Sequence, residues 1–183
     1  MTLKITSLGM AMALGLAASA SVAEKAPVPL KPSVACDVRL NVVDKDPKGL
    51  NVRATPEVRS DNVRTVIPAA DWVRVHVVGM AGDWYQIDHY EVFPENNDED
   101  SEHDLPGGHR DWVHKSMLGG VSAMHGAMLY AAPNDHGKYI YKFGPEEYEI
   151  TVLACEGPFL KIRYKTTVGW TRDICTNERT TCV

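Results

Sequence analysis

Beyond its first 23 residues the chain has no apolar run approaching the roughly 20 residues of a membrane-spanning helix, and no stretch with a good helical stripe. A basic excess is also missing. Nineteen Lys+Arg stand against 24 Asp+Glu, a formal net charge of −5 over 183 residues, which gives no reason to expect a nucleic-acid binder, a class that normally shows a basic stripe. Catalytic signatures are lacking too: there is no GxSxG, no Walker loop, no metalloprotease helix and no dinucleotide fingerprint. His114-Lys115-Ser116 are chain neighbours rather than an organised triad. Glu102 and Asp104 lack the rigid support expected of a glycosidase carboxylate pair. The expectation is no enzyme and no cofactor. Cysteine is scarce, with four residues and no CxxC spacing, which argues against a zinc ribbon or a thioredoxin-like centre.

What is present begins with an address. Lys4 precedes the apolar segment 8–18, and Ser21-Val22-Ala23 has the small-x-small pattern read by signal peptidase, with Ala18-Ser19-Ala20 as the alternative. Residues 1–23 read as a signal peptide and 24–35 as a linker, so the expected location is periplasmic or secreted. In an oxidising compartment Cys36, Cys155, Cys175 and Cys182 form an even set, which predicts two disulfides. Three pairings are open.

The remaining chain reads as short strands. Alternation recurs at Val73-Arg74-Val75-His76-Val77, Trp84-Tyr85-Gln86-Ile87, Tyr148-Glu149-Ile150-Thr151-Val152 and Leu160-Lys161-Ile162. It also repeats. Residues 49–56 (GLNVRATP) align with 126–133 (GAMLYAAP), and 65–79 lie over 140–154 without a gap. Gly82 then falls over Gly157, Trp84 over Phe159, Ile87 over Ile162, and Asp111-Trp112-Val113 over Gly169-Trp170-Thr171. The fold class is all-β, with two tandem copies of one small module.

GLNVRATP, VRVHVV, GDWYQI and DWVHKSML occur in that order in the first copy. Together they resemble the bacterial SH3 (SH3b) domain family, whose pattern is an LNVR-x-x-P strand, a G-x-W strand and a closing GW-V strand. Leu50, Asn51, Val52, Arg53, Pro56, Trp84 and Trp112 match that pattern, and Asp111 departs from the family's Gly. The second copy keeps Trp170 but has Met128-Leu129-Tyr130 and Phe159 at the other motif positions. The resemblance implies two tandem SH3-like β-barrels stapled by disulfides, at 36–120 and 121–183, the second ending in a disulfide tail. Leu50, Val52, Val75, Val77 and Ile87 are expected to point inward.

The repeats differ by one insertion. Ile87 to Trp112 is 25 residues, whereas Ile162 to Trp170 is 8, which places about 17 extra residues at 91–107. Residues 91–104 hold seven acids and no Lys or Arg, so without them the formal charge would be +2. A polar loop is expected there. Asp98, Asp100, Glu102 and Asp104 offer oxygen ligands, and His89, His103, His109 and His114 lie nearby. The stretch nevertheless lacks the Gly and terminal Glu of an EF-hand, and no HxxxH is present, so a solvated loop is favoured over a metal site. The whole insertion is expected to be removable without unfolding the barrels.

The family resemblance implies a non-catalytic binding or adaptor role toward peptidoglycan or another cell-envelope component. Tyr85, Tyr90, Tyr130, Tyr139 and Tyr141 are the aromatic candidates for a ligand surface. Two other readings remain: a secreted inhibitor using the acidic loop against a basic exported protein, and a periplasmic metal-binding protein.

Overall fold

The computed structural model describes residues 31–94, 100–146 and 148–177. The signal segment, most of the linker, Asp98 and Cys182 lie outside them. No helix among the described residues is long and apolar enough to cross a membrane. The helical content described is three single 3-10 turns, at Ser60–Asn62, Pro106–Gly108 and Lys115–Met117.

Period-2 alternation becomes strand in each of the runs read from the sequence, with a break at Ile150 that divides Tyr148–Val152 between two sheets. The first part of the chain contributes β1 (Val34–Val42), β2 (Leu50–Arg53), β3 (Val63–Ile67), β4 (Trp72–Ala81), β5 (Trp84–Phe93), β6 (Ser101–Asp104), β7 (Asp111–His114) and β8 (Leu118–Gly119). They form one antiparallel sheet in the order β3-β2-β7-β5-β4-β1-β8, with β6 added beside β5. The second part contributes β9 (Ser122–Ala123), β10 (Met128–Tyr130), β11 (Tyr139–Lys142), β12 (Tyr148–Glu149), β13 (Thr151–Glu156), β14 (Phe159–Tyr164), β15 (Thr167–Thr171) and β16 (Ile174–Cys175). These build a five-stranded sheet, β11-β10-β15-β14-β13, and a three-stranded one, β12-β9-β16.

Many residues aligned in the sequence occupy like positions in the ladders, although β11 is one residue out of the aligned register against β10, Met128 facing Lys142 where Asn51 faces Val66. Arg53 pairs with Trp112 and Tyr130 with Trp170. Ile87 pairs with Asp111 and Ile162 with Gly169, while Gln86 and Lys161 face the two tryptophans. β1 pairs with β4 and β8, as β9 pairs with β12 and β16. The tight hairpins β4–β5 and β13–β14 each turn on a glycine with positive φ, Gly82 at 56° and Gly157 at 51°. Primed hairpin turns need that conformation, which costs an L-residue energy.

Hydrogen bonding does not close these sheets into the expected barrels. Among the described residues no ladder joins β3 to β8. β8 is only two residues long, too short to carry a ladder further, and the start of β1 is engaged elsewhere. Its register slips between Ala35 and Val38. There Asp37 N–H donates to the Gly157 carbonyl at 2.8 Å, and Gly157 N–H donates to Ala35 at 2.8 Å. The Cys36–Cys155 disulfide lies at this junction, with Cα atoms 5.7 Å apart. Cys175 is disulfide-bonded as well.

One contiguous core results. Val38, Leu40, Leu50, Val52, Val75, Val77, Ile87 and Val113 join Leu129, Cys155, Leu160 and Ile162 in it. All five residues expected to point inward are buried, none more than 2% exposed. Each large apolar side chain contributes about 1.5–3 kcal/mol on full burial. Asn41, fully buried, accepts a 3.0 Å hydrogen bond from the Trp72 indole and donates to the Gly120 carbonyl. That buried amide ties β1 and β4 to the connection between the two parts of the chain.

The acidic insertion is not simply a solvated loop. Its ends form a hairpin in which His89, Tyr90, Glu91 and Val92 pair with Asp104, His103, Glu102 and Ser101. Phe93 stacks on Trp72 at 3.9 Å, and Leu105 is 1% exposed. Glu91 forms ion pairs with Arg39 and Arg74.

Two outcomes follow from this packing. The Cys36–Cys155 bond closes 119 residues, which the chain-entropy account values at about 2–5 kcal/mol. Reduction, or Cys155→Ala, is expected to lower the melting temperature by roughly 5–15 °C; an unchanged melt contradicts the clasp. Deleting 91–107 removes Glu91, Phe93 and Leu105, and should lower the melt by about 10 °C. A melt within a degree of the parent would show that the hairpin is dispensable.

Candidate functional site

The five tyrosines do not converge on one surface. Tyr85 shares the inward parity of Ile87 and is 1% exposed, so it belongs to the core rather than to a ligand face. Burial pushes its phenol well above the ordinary tyrosine range. Tyr90 stacks on His103 at 4.9 Å along the acidic hairpin. Tyr130 and Tyr139 face each other across β10 and β11, with Tyr139 46% exposed. Tyr141 packs against Phe143 and Tyr164.

The motif residues themselves converge instead. Alternation along β2 buries Leu50 and Val52 and leaves Asn51 and Arg53 on the other face. On β5, Tyr85 and Ile87 point inward, so Trp84 lies half-buried at the strand's start. Asn51, Arg53 and Trp84 line an open groove of about 450 Å³ together with Asp44, Asp46, Val58, His114, Ser116 and Met117. The His114 ring meets the Trp84 ring edge-on at 5.1 Å, and its Nδ1 lies 2.8 Å from the Ser116 hydroxyl.

Two acids are fixed at one end of the groove. Asp44 accepts from the Asp46 backbone N–H at 3.0 Å, and Asp46 accepts from that of Lys48 at 2.9 Å. These are successive Asx turns, which set the carboxylates on the loop before β2. At the other side the Arg53 guanidinium donates to the Arg59 carbonyl. The groove therefore combines an aromatic face, an apolar floor and charges of both signs. Asp44, Asp46, Val58 and Met117 were not singled out by sequence reasoning. The readable signal was Asp44-Lys45-Asp46-Pro47, a turn-forming run directly before the motif strand.

The same place in the second part of the chain is filled. Phe159, over which Trp84 aligns, is 7% exposed, and the Arg172 guanidinium lies 5.9 Å above its ring. Arg172 is in turn held by Asp135 at 2.6 Å. Trp170 is half-buried, with the Lys161 ammonium 5.7 Å from its ring. Trp112, in contrast, is 2% exposed.

A second assembly of polar side chains lies on neighbouring strands. His76, Asp88 and His89 place nitrogen and oxygen atoms within 4.8 Å of one another, a set able to hold a metal ion. It includes one of the histidines named from the sequence, His89, and reaches Glu102 of the acidic hairpin. Asp98 lies outside the described residues, and His114 belongs to the groove.

No family model matches the chain, and no curated protein matches it. Among solved structures it is similar to that of NlpC2 from Trichomonas vaginalis, at 13% identity and a TM-score of 0.35, over 75% of this chain. The chain spans 48% of that protein's length.

Asp111 marks the one departure of the first copy from the motif. At the aligned position a Cβ on Gly169 would come within 3.0 Å of Leu129 Cβ and 3.1 Å of the Tyr130 carbonyl oxygen, so glycine suits a close approach there. Asp111 is buried, and Arg64 Nε stands 3.2 Å from its Oδ2. Burial pushes the carboxyl above the ordinary aspartate range, outweighing the opposing pull of Arg64 and His109. A carboxyl that holds its proton more tightly when folded contributes most below its ordinary value of 3.8, and that contribution is lost as pH rises through the folded value. Asp111→Asn removes this loss. The variant's melting temperature, relative to the wild type, should therefore be higher at about pH 7 than at about pH 4. A pH-independent difference contradicts the assignment.

Proposed function

We propose that the chain is an exported, non-catalytic binding module built of two tandem SH3b-like units. The first spans 36–120 and carries the open groove; the second spans 121–183. The ligand class is a short peptide of the cell envelope, peptidoglycan stem peptides above all. One observation carries this reading: the SH3b motif residues Asn51, Arg53 and Trp84, spread over 34 positions of sequence, line a single groove.

The chemistry of the groove supports the ligand class. Stem peptides bear amines and carboxylates on a short extended chain. Asp44 and Asp46 suit the first group and Arg53 the second, while Trp84 offers a flat apolar face with a hydrogen-bonding edge. The like order of pairings in both halves supports the reading as two related units. Export is supported by the signal-like N-terminus and by a buried disulfide, which persists in oxidising compartments.

Sedimentation with purified peptidoglycan, at low and high salt, tests the proposal. The wild type should sediment in both, because contact with Trp84 is apolar and resists screening. Trp84→Ala should weaken binding by at least about tenfold, as loss of an aromatic anchor does. Circular dichroism keeps a folding defect distinguishable, and Asp44→Asn, on a surface loop, gives a second and milder loss. Absence of sedimentation, or sedimentation unaffected by both substitutions, overturns the reading. Salt-sensitive capture of a basic exported protein in its place would instead favour the acidic hairpin as the binding element.

A further inference from the structure

The ladder between β4 and β5 contains an irregularity that regular alternation does not anticipate. Val75 pairs with Tyr90 and Val77 with Ile87, so His76 alone stands opposite both Asp88 and His89. Two residues against one is a β-bulge, and a bulge re-aims side chains that would otherwise point to opposite faces of the sheet. Here it brings Asp88 and His89 to the same side as His76. His76 Nδ1 and His89 Nδ1 each lie 2.8 Å from the same carboxylate oxygen, Asp88 Oδ1, with the two rings 4.7 Å apart.

The outward nitrogens have carboxylates of their own. His76 Nε2 is 2.9 Å from Asp37 on β1, and His89 Nε2 is 3.4 Å from Glu102 on β6. A neutral imidazole carries one N–H and one lone pair. His76 Nε2 is hydrogen-bonded to Asp37, whereas His89 Nε2 is buried near Glu102 without a hydrogen bond among the described residues. With the proton of each ring on Nε2, both Nδ1 lone pairs converge on the Asp88 carboxylate. Three acceptors then face a common point, which calls for a cation. Carboxylate–histidine–metal arrangements have this form, the outer carboxylate fixing the tautomer and the ring orientation.

We propose that His76, Asp88 and His89 bind a zinc ion, with Asp37 and Glu102 as the outer carboxylates that orient the two imidazoles. Two imidazole nitrogens and one carboxylate are a borderline ligand set suited to zinc and leave a fourth position for water or another donor. Bonds of about 2.0–2.1 Å need tetrahedral neighbours about 3.3 Å apart. Each 2.8 Å nitrogen–oxygen spacing would therefore open by about half an ångström, and the two imidazole nitrogens, within 4.8 Å of each other, would settle on the same ion. The three ligand side chains are partly shielded, at 15%, 28% and 16% exposure, yet reachable from solvent. None of these residues lines the Trp84 groove, so the two sites can be tested separately. The zinc reading departs from the sequence expectation of a solvated acidic loop because it needs His76 and Asp88, which strand geometry adds.

The experiment is calorimetric titration of untagged, chelator-treated full chain with zinc, paralleled by cobalt as a spectroscopic probe. One equivalent of zinc should bind saturably and raise the melting temperature, and cobalt should show visible d–d absorption that zinc displaces. His76→Gln and His89→Gln, checked for folding by circular dichroism, should each abolish that absorption, while His136→Gln should not. Asp37→Asn and Glu102→Gln, at exposed positions, should weaken zinc about tenfold while the protein stays folded. They carry the test if the histidine variants unfold. No saturable binding of either metal, or affinity unchanged in every folded variant of His76, His89, Asp37 and Glu102, overturns the proposal.

Discussion

The junction between Cys36 and Cys155 is the constraint on which the rest of the molecule depends. β1 pairs with β4 at Val34–Ala35 and again along Val38–Asn41, and its register slips between the two stretches. That slip turns Cys36 toward Cys155 and sets Ala35 and Asp37 in hydrogen bonds with Gly157 of the other sheet. Small β units bury too little apolar surface to be comfortable alone. Joining them lets Leu40 and Val75 share a contiguous core with Leu160 and Ile162. The same slip delivers Asp37 to the His76 ring, so a structural irregularity in one strand serves both cohesion and the polar cluster.

Much of this was legible in the sequence. The buried set Leu50, Val52, Val75, Val77 and Ile87 follows from parity and β-branched content. The alignment of the two copies corresponds to ladder positions at Val77–Ile87 and Val152–Ile162 but is one residue out at β3 and β11, where Asn51 pairs with Val66 and Met128 with Lys142; a hairpin's register is set by its turn and its buried face. Tyr85 is a misjudgement that parity could have prevented: it is two positions from Ile87 and must share its face. Four acidic and polar residues at 101–104 carry no apolar alternation, so nothing in their chemistry announces a strand. Their pairing is imposed by β5, whose far half needs a partner. Bulges are illegible for a related reason. An extra residue leaves the composition of a strand unchanged but reverses which faces its neighbours share, and the pairing of Asp88 with His89 on one side depends on that reversal.

The two parts of the chain use a like geometry differently. Each places an aromatic ring at the start of the strand after its glycine turn and a polar residue from the closing strand region over that ring. In the first half the polar residue is His114, and the space beyond is an open groove edged by Asp44 and Asp46. In the second it is Arg172, drawn into an ion pair with Asp135, and the ring beneath it is covered. A ring committed to the protein's own arginine offers little to a ligand. The two parts of the chain therefore differ in the surface they leave open, a groove beside Trp84 in the first and a covered Phe159 in the second.

The net charge of −5 acquires a physical meaning from this arrangement. It comes from a segment of seven acids rather than from the whole surface. Arg39 and Arg74 approach Glu91, and His89 approaches Glu102. Arg74 also lies 4.8 Å over the Phe93 ring, which stacks on Trp72 beside buried Asn41. The acidic hairpin is thus anchored at its base by cations and aromatics and leaves Glu102 and His103 on an exposed face. Glu91 and Glu102, paired in the β5–β6 ladder, are held in place by the strands that carry them. Fixed charge is what a binding surface or a cation site requires, since a freely moving carboxylate loses to entropy most of what it gains by attraction.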